Sequence, residues 1–259
     1  MSEMVLDLRA PHQVYKTKDG RRVPGVTTVL AELNKPYLMN WYGTEEREGI
    51  LRFMGKQAWT ADALRHALPK TREGKPLLFA VQKRDRAADV GTVAHAMVEA
   101  WHAGTTLSRH GIPDDVYAQA VEPAERFKGW WTDAGLTLLH AELQMVSETW
   151  GVGGTADQIG RDKQGRIVLW DTKTGKPWYE GRPYREQIAQ AVAYALMYHE
   201  CHGEVVEEIS IARIGKTAGD KGDLYRLGKA EMMAGKSRWL AALDAHRSTK
   251  DFDNIYREL

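Results

Sequence analysis

Residues 167–175 read Ile-Val-Leu-Trp-Asp-Thr-Lys-Thr-Gly, and this stretch limits the fold more than any other. Its first four residues are all apolar. A strand with one wet face would alternate apolar and polar, so an unbroken run predicts a strand buried on both faces. Asp171 and Lys173 then end it. Unpaired charge is costly to bury, so a strand that finishes this way needs compensation close by. Side chains alternate along a strand, which puts Asp171 and Lys173 on one face and Thr172 on the other. A carboxylate and an ammonium sharing one face at the end of a buried strand predict an active site.

Asp157 is the candidate third member. Residues 155–160 alternate loosely, and Asp162-Lys163-Gln164-Gly165 is a turn sequence. If residue 160 pairs with 166, Asp157 faces Leu169 and Thr155 faces Asp171. Asp157 and Asp171 then share a face, within reach of one cation. A slip of one residue would send them to opposite faces.

The bulk properties leave this reading open. The chain has 259 residues, 43% hydrophobic and 27% charged, with a net charge of +1, which suits an ordinary globular protein of one large or two small domains. No apolar run approaches the ~20 residues of a membrane-spanning helix, and the N-terminus lacks the pattern of a signal peptide. The single cysteine, Cys201, excludes an intrachain disulfide and a four-cysteine iron–sulfur cluster, and fits a reducing cytoplasm. Basic residues gather at Arg21-Arg22, at Lys83-Arg84 with Arg86, and at Lys173, Lys176, Arg182 and Arg185. The first two groups read as well as solvated surface as binding sites. The third follows the proposed site directly, where a phosphate backbone would run.

Taken in order, residues 12–29 read as a hairpin turning at Asp19-Gly20, with Thr27 or Thr28 capping a short helix. Helices are expected over residues 36–53, 60–68 and 76–102, the last with a break near 89–91. Within it His95, Glu99 and His102 fall on one face, beside an apolar stripe of Val93, Met97 and Trp101. Residues 113–134 form a helix with proline at its start and Gly135 at its end. Residues 137–147 alternate as a strand, on which Glu142 reads as a surface carboxylate with the site as its alternative. After Lys173 come Gly175, Pro177, Gly181 and Pro183, which make a loop suited to a lid or a DNA contact. A helix over 184–201 aligns Gln187, Gln190, Tyr194 and Tyr198. A strand over 205–214, a basic loop over 216–222, a short strand over 224–227 and a closing helix over 230–246 complete the chain. With no repeat or linker visible, one domain over 1–259 is expected: a hairpin and helical wall including His95 to about 135, a core to about 230, then the last helix.

Asp157, Asp171-Thr172-Lys173 and Gln190-x-x-x-Tyr194, together with His95 upstream, resemble the PD-(D/E)xK nuclease superfamily. More narrowly they are similar to its RecB-like exonuclease branch, whose strand reads D-x-K-T-G. Residues 23–36 and Trp41 resemble the N-terminus of phage-encoded members. The resemblance implies an α/β fold in which a central mixed sheet is flanked by helices, here with an N-terminal helical elaboration. It implies Mg²⁺ or Mn²⁺ held by Asp157, Asp171, His95 and the Thr172 carbonyl, with Lys173 acting on the attacking water; with one cysteine and no iron–sulfur cluster, the sequence departs from those RecB-like relatives that carry one. It implies DNA as substrate, with Gln190, Tyr194, Gln187, Lys176 and Arg182 as contacts, in a bacterial or phage-infected cytoplasm. No G-x-x-x-x-G-K-[ST] segment is present, so any helicase, single-strand-binding or annealing partner is a separate chain. Hydrolysis from a DNA end is the leading expectation. Internal cleavage on the same fold and a non-catalytic DNA-binding module are the alternatives.

Overall fold

The computed structural model describes residues 2–8, 13–33, 36–55, 60, 78–215 and 220–258. Residues 61–68 of the helix expected over 60–68 and residues 216–219 of the basic loop lie outside these. Two compact units are formed, Asn34–Thr92 and the combination of Met1–Leu33 with Val93–Leu259.

The chain begins with short elements: β1 (Glu3–Met4), β2 (Tyr15–Lys16), β3 (Arg22–Val23) and α1 (Val26–Leu30). Strands β2 and β3 form the expected hairpin. Helix α1 starts at Gly25 rather than at a threonine, and no side chain caps it. Helix α2 (Pro36–Met54) has proline at its first position, where the missing N–H costs nothing. Helix α3 (Phe79–His102) runs without interruption through residues 89–91. Inside the smaller unit, Ala80 N–H donates to Glu46 at 3.1 Å.

Beyond α3 come β4 (Thr106–Leu107), which pairs in parallel with β1, and α4 (Asp114–Ala134). Asp114 and Asp115 sit in the first turn of α4, where a carboxylate complements the helix dipole, and Gly135 ends it at φ 63°, a conformation glycine takes freely. The sheet follows: β5 (Thr137–Ser147), β6 (Val152–Arg161), β7 (Ile167–Thr174), then helix α5 (Arg185–His202), β8 (Val206–Ile214) and β9 (Asp223–Arg226). Strand order is β5-β6-β7-β8-β9. All neighbours are antiparallel except β7 and β8, which are parallel because α5 carries the chain back between them. Helix α6 (Lys229–Glu258) closes the fold. The expected mixed sheet flanked by helices is therefore the observed architecture.

Each face of the sheet has its own cover. Ile159, Leu169, Ile209 and Ile211 are buried in one core with Ala189, Val192 and Met197 of α5 and Trp239 of α6; fully burying one such aliphatic side chain is worth about 1.5–3 kcal/mol. On the opposite face Trp170 meets Phe127 and Trp131 of α4 edge to face, with ring centroids 5.6 and 5.4 Å apart. Gln158 and Thr172 are also buried on that side, joined by a 3.1 Å bond from the threonine hydroxyl to the amide oxygen. Asp171 and Lys173 alternate with Trp170 and Thr172, so they belong to the α5 face.

The β6–β7 register differs from the expected one. Gly160 pairs with Val168 and Arg161 with Ile167, not residue 160 with 166. Asp162 explains the shift. It accepts N–H bonds from Gln164 and Arg166, and it pairs with the Arg166 guanidinium, so the turn starts one residue later. Counted on past the last pair, Gln158 with Trp170, this register sets Asp157 level with Asp171 and Thr155 level with Lys173. The requirement for a shared face survives, since the shift is an even number of positions.

Candidate active site

Strands β6 and β7 part company beside these residues. The last ladder pair is Gln158 with Trp170. Beyond it, the Thr172 N–H donates to Asp157 Oδ2 at 2.7 Å, so a carboxylate takes the place of a backbone acceptor. In a strand, the N–H and C=O of one residue point to the same side, so the Thr172 carbonyl faces this opening too.

His95 of α3 and Glu142 of β5 enter the same space. His95 Nδ1 lies 3.9 Å from Glu142 Oε1 and 3.9 Å from Asp157 Oδ2. Candidate ligand atoms of His95, Glu142 and Asp157 all fall within 4.8 Å of one another. Among the described residues this is the one such group of three, and Asp171 is not in it. The Asp171 carboxylate is turned to Lys173, with Nζ 2.6 Å from Oδ2. Oδ1 has no hydrogen-bond partner, and the side chain is 1% exposed.

The electrostatics follow from burial and crowding. Burial raises the Asp171 carboxyl to about 6; Lys173 opposes the rise and the Asp157 charge adds to it. Burial raises Asp157 as well, against His95 and Lys173. Burial alone would lower His95 and Lys173. The carboxylates of Asp157 and Glu142 outweigh it for His95, those of Asp171 and Asp157 for Lys173, and both end above their ordinary values. Three carboxylates packed against one imidazole and one ammonium leave an excess of negative charge. Asp171 Oδ1, buried without a partner, points the same way. A hard divalent cation fits that donor set of carboxylate oxygens and one imidazole nitrogen.

Glu142 is the residue that alternation undervalued. Its backbone sits at φ 48°, inside a strand and in a region that costs a non-glycine residue energy. The sequence carried a usable signal. The turn over 148–151 sets Ser147 opposite Val152, and counting back from there puts Glu142 opposite Asp157. Glu99 is half-buried and its carboxyl is raised, first by burial and then by the Glu142 charge; it is outside the group of three. His102 goes elsewhere, among Trp101, Phe127 and Trp131.

The α5 residues separate. Gln190 donates to the Tyr194 hydroxyl at 2.9 Å, and Tyr194 is 5% exposed, its ring against Gly154 of β6. Burial first, and then the Asp171 charge, raise the Tyr194 hydroxyl far above its ordinary value. This pair forms a wall of the site. Gln187 does not face it: its side-chain oxygen accepts the Tyr184 N–H at 3.1 Å and closes the first turn of α5. Tyr198 is buried at the far end, where its hydroxyl donates to Glu204 at 3.1 Å. Lys176 and Arg182 are exposed in the loop after β7.

Comparison with known proteins bears on this arrangement. A family model described as the PD-(D/E)XK nuclease superfamily matches residues 58–255, more than half of the chain. No curated protein matches. Solved structures with likeness include an alkaline exonuclease from Laribacter hongkongensis, at 18% identity over 66% of this chain and 91% of that one, with TM-score 0.33. Another is a protein assigned as an exonuclease from Eubacterium rectale, at 14% identity over 66% of this chain and 76% of that one, with TM-score 0.37.

Proposed function

The chain belongs to the PD-(D/E)XK nuclease superfamily, and we propose on that premise that it is a metal-dependent exonuclease, hydrolysing phosphodiester bonds of DNA from an end. The observation that carries the reading is the convergence of His95, Glu142 and Asp157 within 4.8 Å, beside the Asp171–Lys173 pair at 2.6 Å. The preference for an end rests on the D-x-K-T-G strand, the Gln190–Tyr194 spacing and the upstream His95.

Two obstacles slow phosphodiester hydrolysis: an anionic phosphate repels the nucleophile, and the leaving alkoxide is poor. A divalent ion such as Mg²⁺ or Mn²⁺ lowers the pKa of a bound water and offsets charge growing on the phosphate. Asp157, Glu142, His95, Asp171 and the Thr172 carbonyl are the groups that would hold it. The rest is done by the chain itself. Lys173, kept an ammonium by its carboxylate neighbours, orients the attacking water and stabilises the negative charge on the phosphoryl oxygens in the transition state. The Thr172 N–H fixes the Asp157 carboxylate on the strand that carries Asp171. Tyr194 and Gln190 close the wall beside Asp171 and exclude bulk water. Lys176 and Arg182 meet backbone phosphates beyond the reacting bond.

Topology of the DNA tests the end requirement. End-labelled linear duplex, nicked circles and closed single-stranded circles are incubated with the protein and Mg²⁺ or Mn²⁺. Digestion of the linear substrate with intact single-stranded circles is the expected result. Cleavage of closed circles at the rate of linear DNA would overturn the exonuclease reading in favour of internal cutting.

A further inference from the structure

The β2–β3 hairpin carries Lys16, Lys18, Arg21 and Arg22, all exposed, on a chain whose net charge is only +1. Two acids lie nearby, Asp19 and Glu148, and both are engaged by backbone groups. Asp19 accepts from the Thr17 hydroxyl and from the Arg21 N–H, and Glu148 accepts the Lys18 N–H at 2.8 Å. Among the described residues none of the four cations is held in an ion pair. The four cations outnumber these two carboxylates, one of which, Asp19, feels the Arg21 charge, so the hairpin keeps a surplus of positive charge.

Its position gives that charge a purpose. The Tyr15 hydroxyl bonds Thr155 Oγ1 at 2.9 Å, and Thr155 lies two residues before Asp157 on the same face of β6. Two residues span about 6.6 Å along a strand. The Tyr15 ring fills the place of a side chain at Gly153, where an added Cβ would come within 2.1 Å of it. Where β7 has left β6, the N-terminal segment takes over the vacated edge: Gly153 N–H donates to Pro24 O at 2.9 Å, and Gly25 bridges Gly153 in parallel. The opening between β6 and β7 thus has the hairpin on its β6 side and the Lys176–Arg182 loop on its β7 side. Strand β6 gives up a side chain to seat the hairpin there, which a merely solvated surface loop would not require.

We infer that the β2–β3 hairpin is a phosphate-binding arm for the nucleic-acid strand that enters or leaves the β6–β7 opening, with Lys16, Lys18, Arg21 and Arg22 as its contacts. The inference rests on the phosphodiesterase reading and adds a substrate-binding site to it. Two extended residues and the turn that Thr17 and Arg21 close carry the tip roughly 10 Å from the Tyr15 anchor, which is about three nucleotides along a duplex at ~3.4 Å each. The arm acts on affinity and not on the bond-breaking step.

Salt dependence distinguishes such contacts from structural ones, because each lost phosphate contact flattens the slope of log affinity against log salt by about 0.9 on duplex DNA. KM and kcat are measured on end-labelled linear duplex over a series of NaCl concentrations, for wild type and for Arg21→Ala/Arg22→Ala. The expected result is a several-fold higher KM, a slope of log(kcat/KM) shallower by about 1.8, and unchanged kcat at saturating DNA. Adding Lys18→Ala flattens the slope further. Unchanged KM and slope in an active enzyme overturn the arm alone. A fall in kcat with KM and slope unchanged also overturns it, since it marks a structural role. A wild-type protein that neither binds nor cleaves DNA overturns the phosphodiesterase reading, and the arm with it.

Discussion

The backbone N–H of Thr172 donates to Asp157 Oδ2 at 2.7 Å, so one residue of β7 fastens a carboxylate from β6 beside its own strand's Asp171 and Lys173. The bond has two consequences that can be separated. Asp157→Asn keeps an oxygen for the Thr172 N–H but loses the negative charge. It should stay within about 1 kcal/mol of wild-type stability while activity falls at least about 10²-fold, beyond what outer-shell partners of a metal cost. Asp157→Ala strands the N–H and should cost a further 1–3 kcal/mol, roughly, in denaturant unfolding. Equal stability of the two variants would show that the bond contributes nothing.

His102 tests the aromatic cluster on the other face. Its Nε2 is buried without a partner, and burial lowers its pKa from 6.5 to about 4. The unfolded chain therefore binds a proton between those values when the folded one does not, so this residue makes stability fall as pH drops from 6.5 towards 4. His102→Phe removes both the unpartnered nitrogen and the titration. Thermal unfolding should show it about 1 kcal/mol more stable at neutral pH, with a flatter profile down to pH 4 and unaltered nuclease activity. A steeper acid loss in the variant would contradict this.

Gln187 separates a cap from a DNA contact. Because its side chain accepts the Tyr184 N–H, Gln187→Ala should lose about 1 kcal/mol of stability and leave KM for DNA unchanged. A raised KM with full stability would return Gln187 to the nucleic-acid surface.

Gly153 gauges how firmly the N-terminal hairpin is seated. A Cβ there meets Tyr15 at 2.1 Å, so Gly153→Ala should destabilise by about 1–3 kcal/mol and expose residues 13–25 to limited proteolysis. An unchanged melting temperature and cleavage pattern would mean that Tyr15 moves aside without cost.

The readings that sequence supported best were local. Alternation gave β5 over Thr137–Ser147, and Gly135 marked the end of α4, because periodicity and left-handed caps are written in neighbouring residues. The Asp171–Lys173 pairing was legible for the same reason: two positions on one strand share a face whatever the rest of the chain does. What joins separate strands was harder to read. The β6–β7 register depended on Asp162 accepting bonds from Gln164 and Arg166, a choice of turn that composition does not fix. Glu142 looked like a surface residue because its approach to His95 and Asp157 needs both the β5–β6 register and a left-handed backbone at φ 48°. On α5, helical spacing put Gln187, Gln190, Tyr194 and Tyr198 in one row, yet spacing says nothing of what covers each turn. Capping took the first and burial took the last two.

Lys173 is the group whose removal tests the central claim most directly. Its Nζ stands 2.6 Å from Asp171 Oδ2, and no other lysine or arginine among the described residues pairs with the cluster. Release of label from end-labelled DNA is followed for wild type and Lys173→Ala, each with Mg²⁺, with Mn²⁺ and with EDTA, after circular dichroism has established that both are folded. Cleavage by wild type with either ion, none with EDTA, and a loss of about 10²–10⁴-fold in the variant is the predicted result. Equal cleavage by the two proteins, or undiminished cleavage in EDTA, would contradict it.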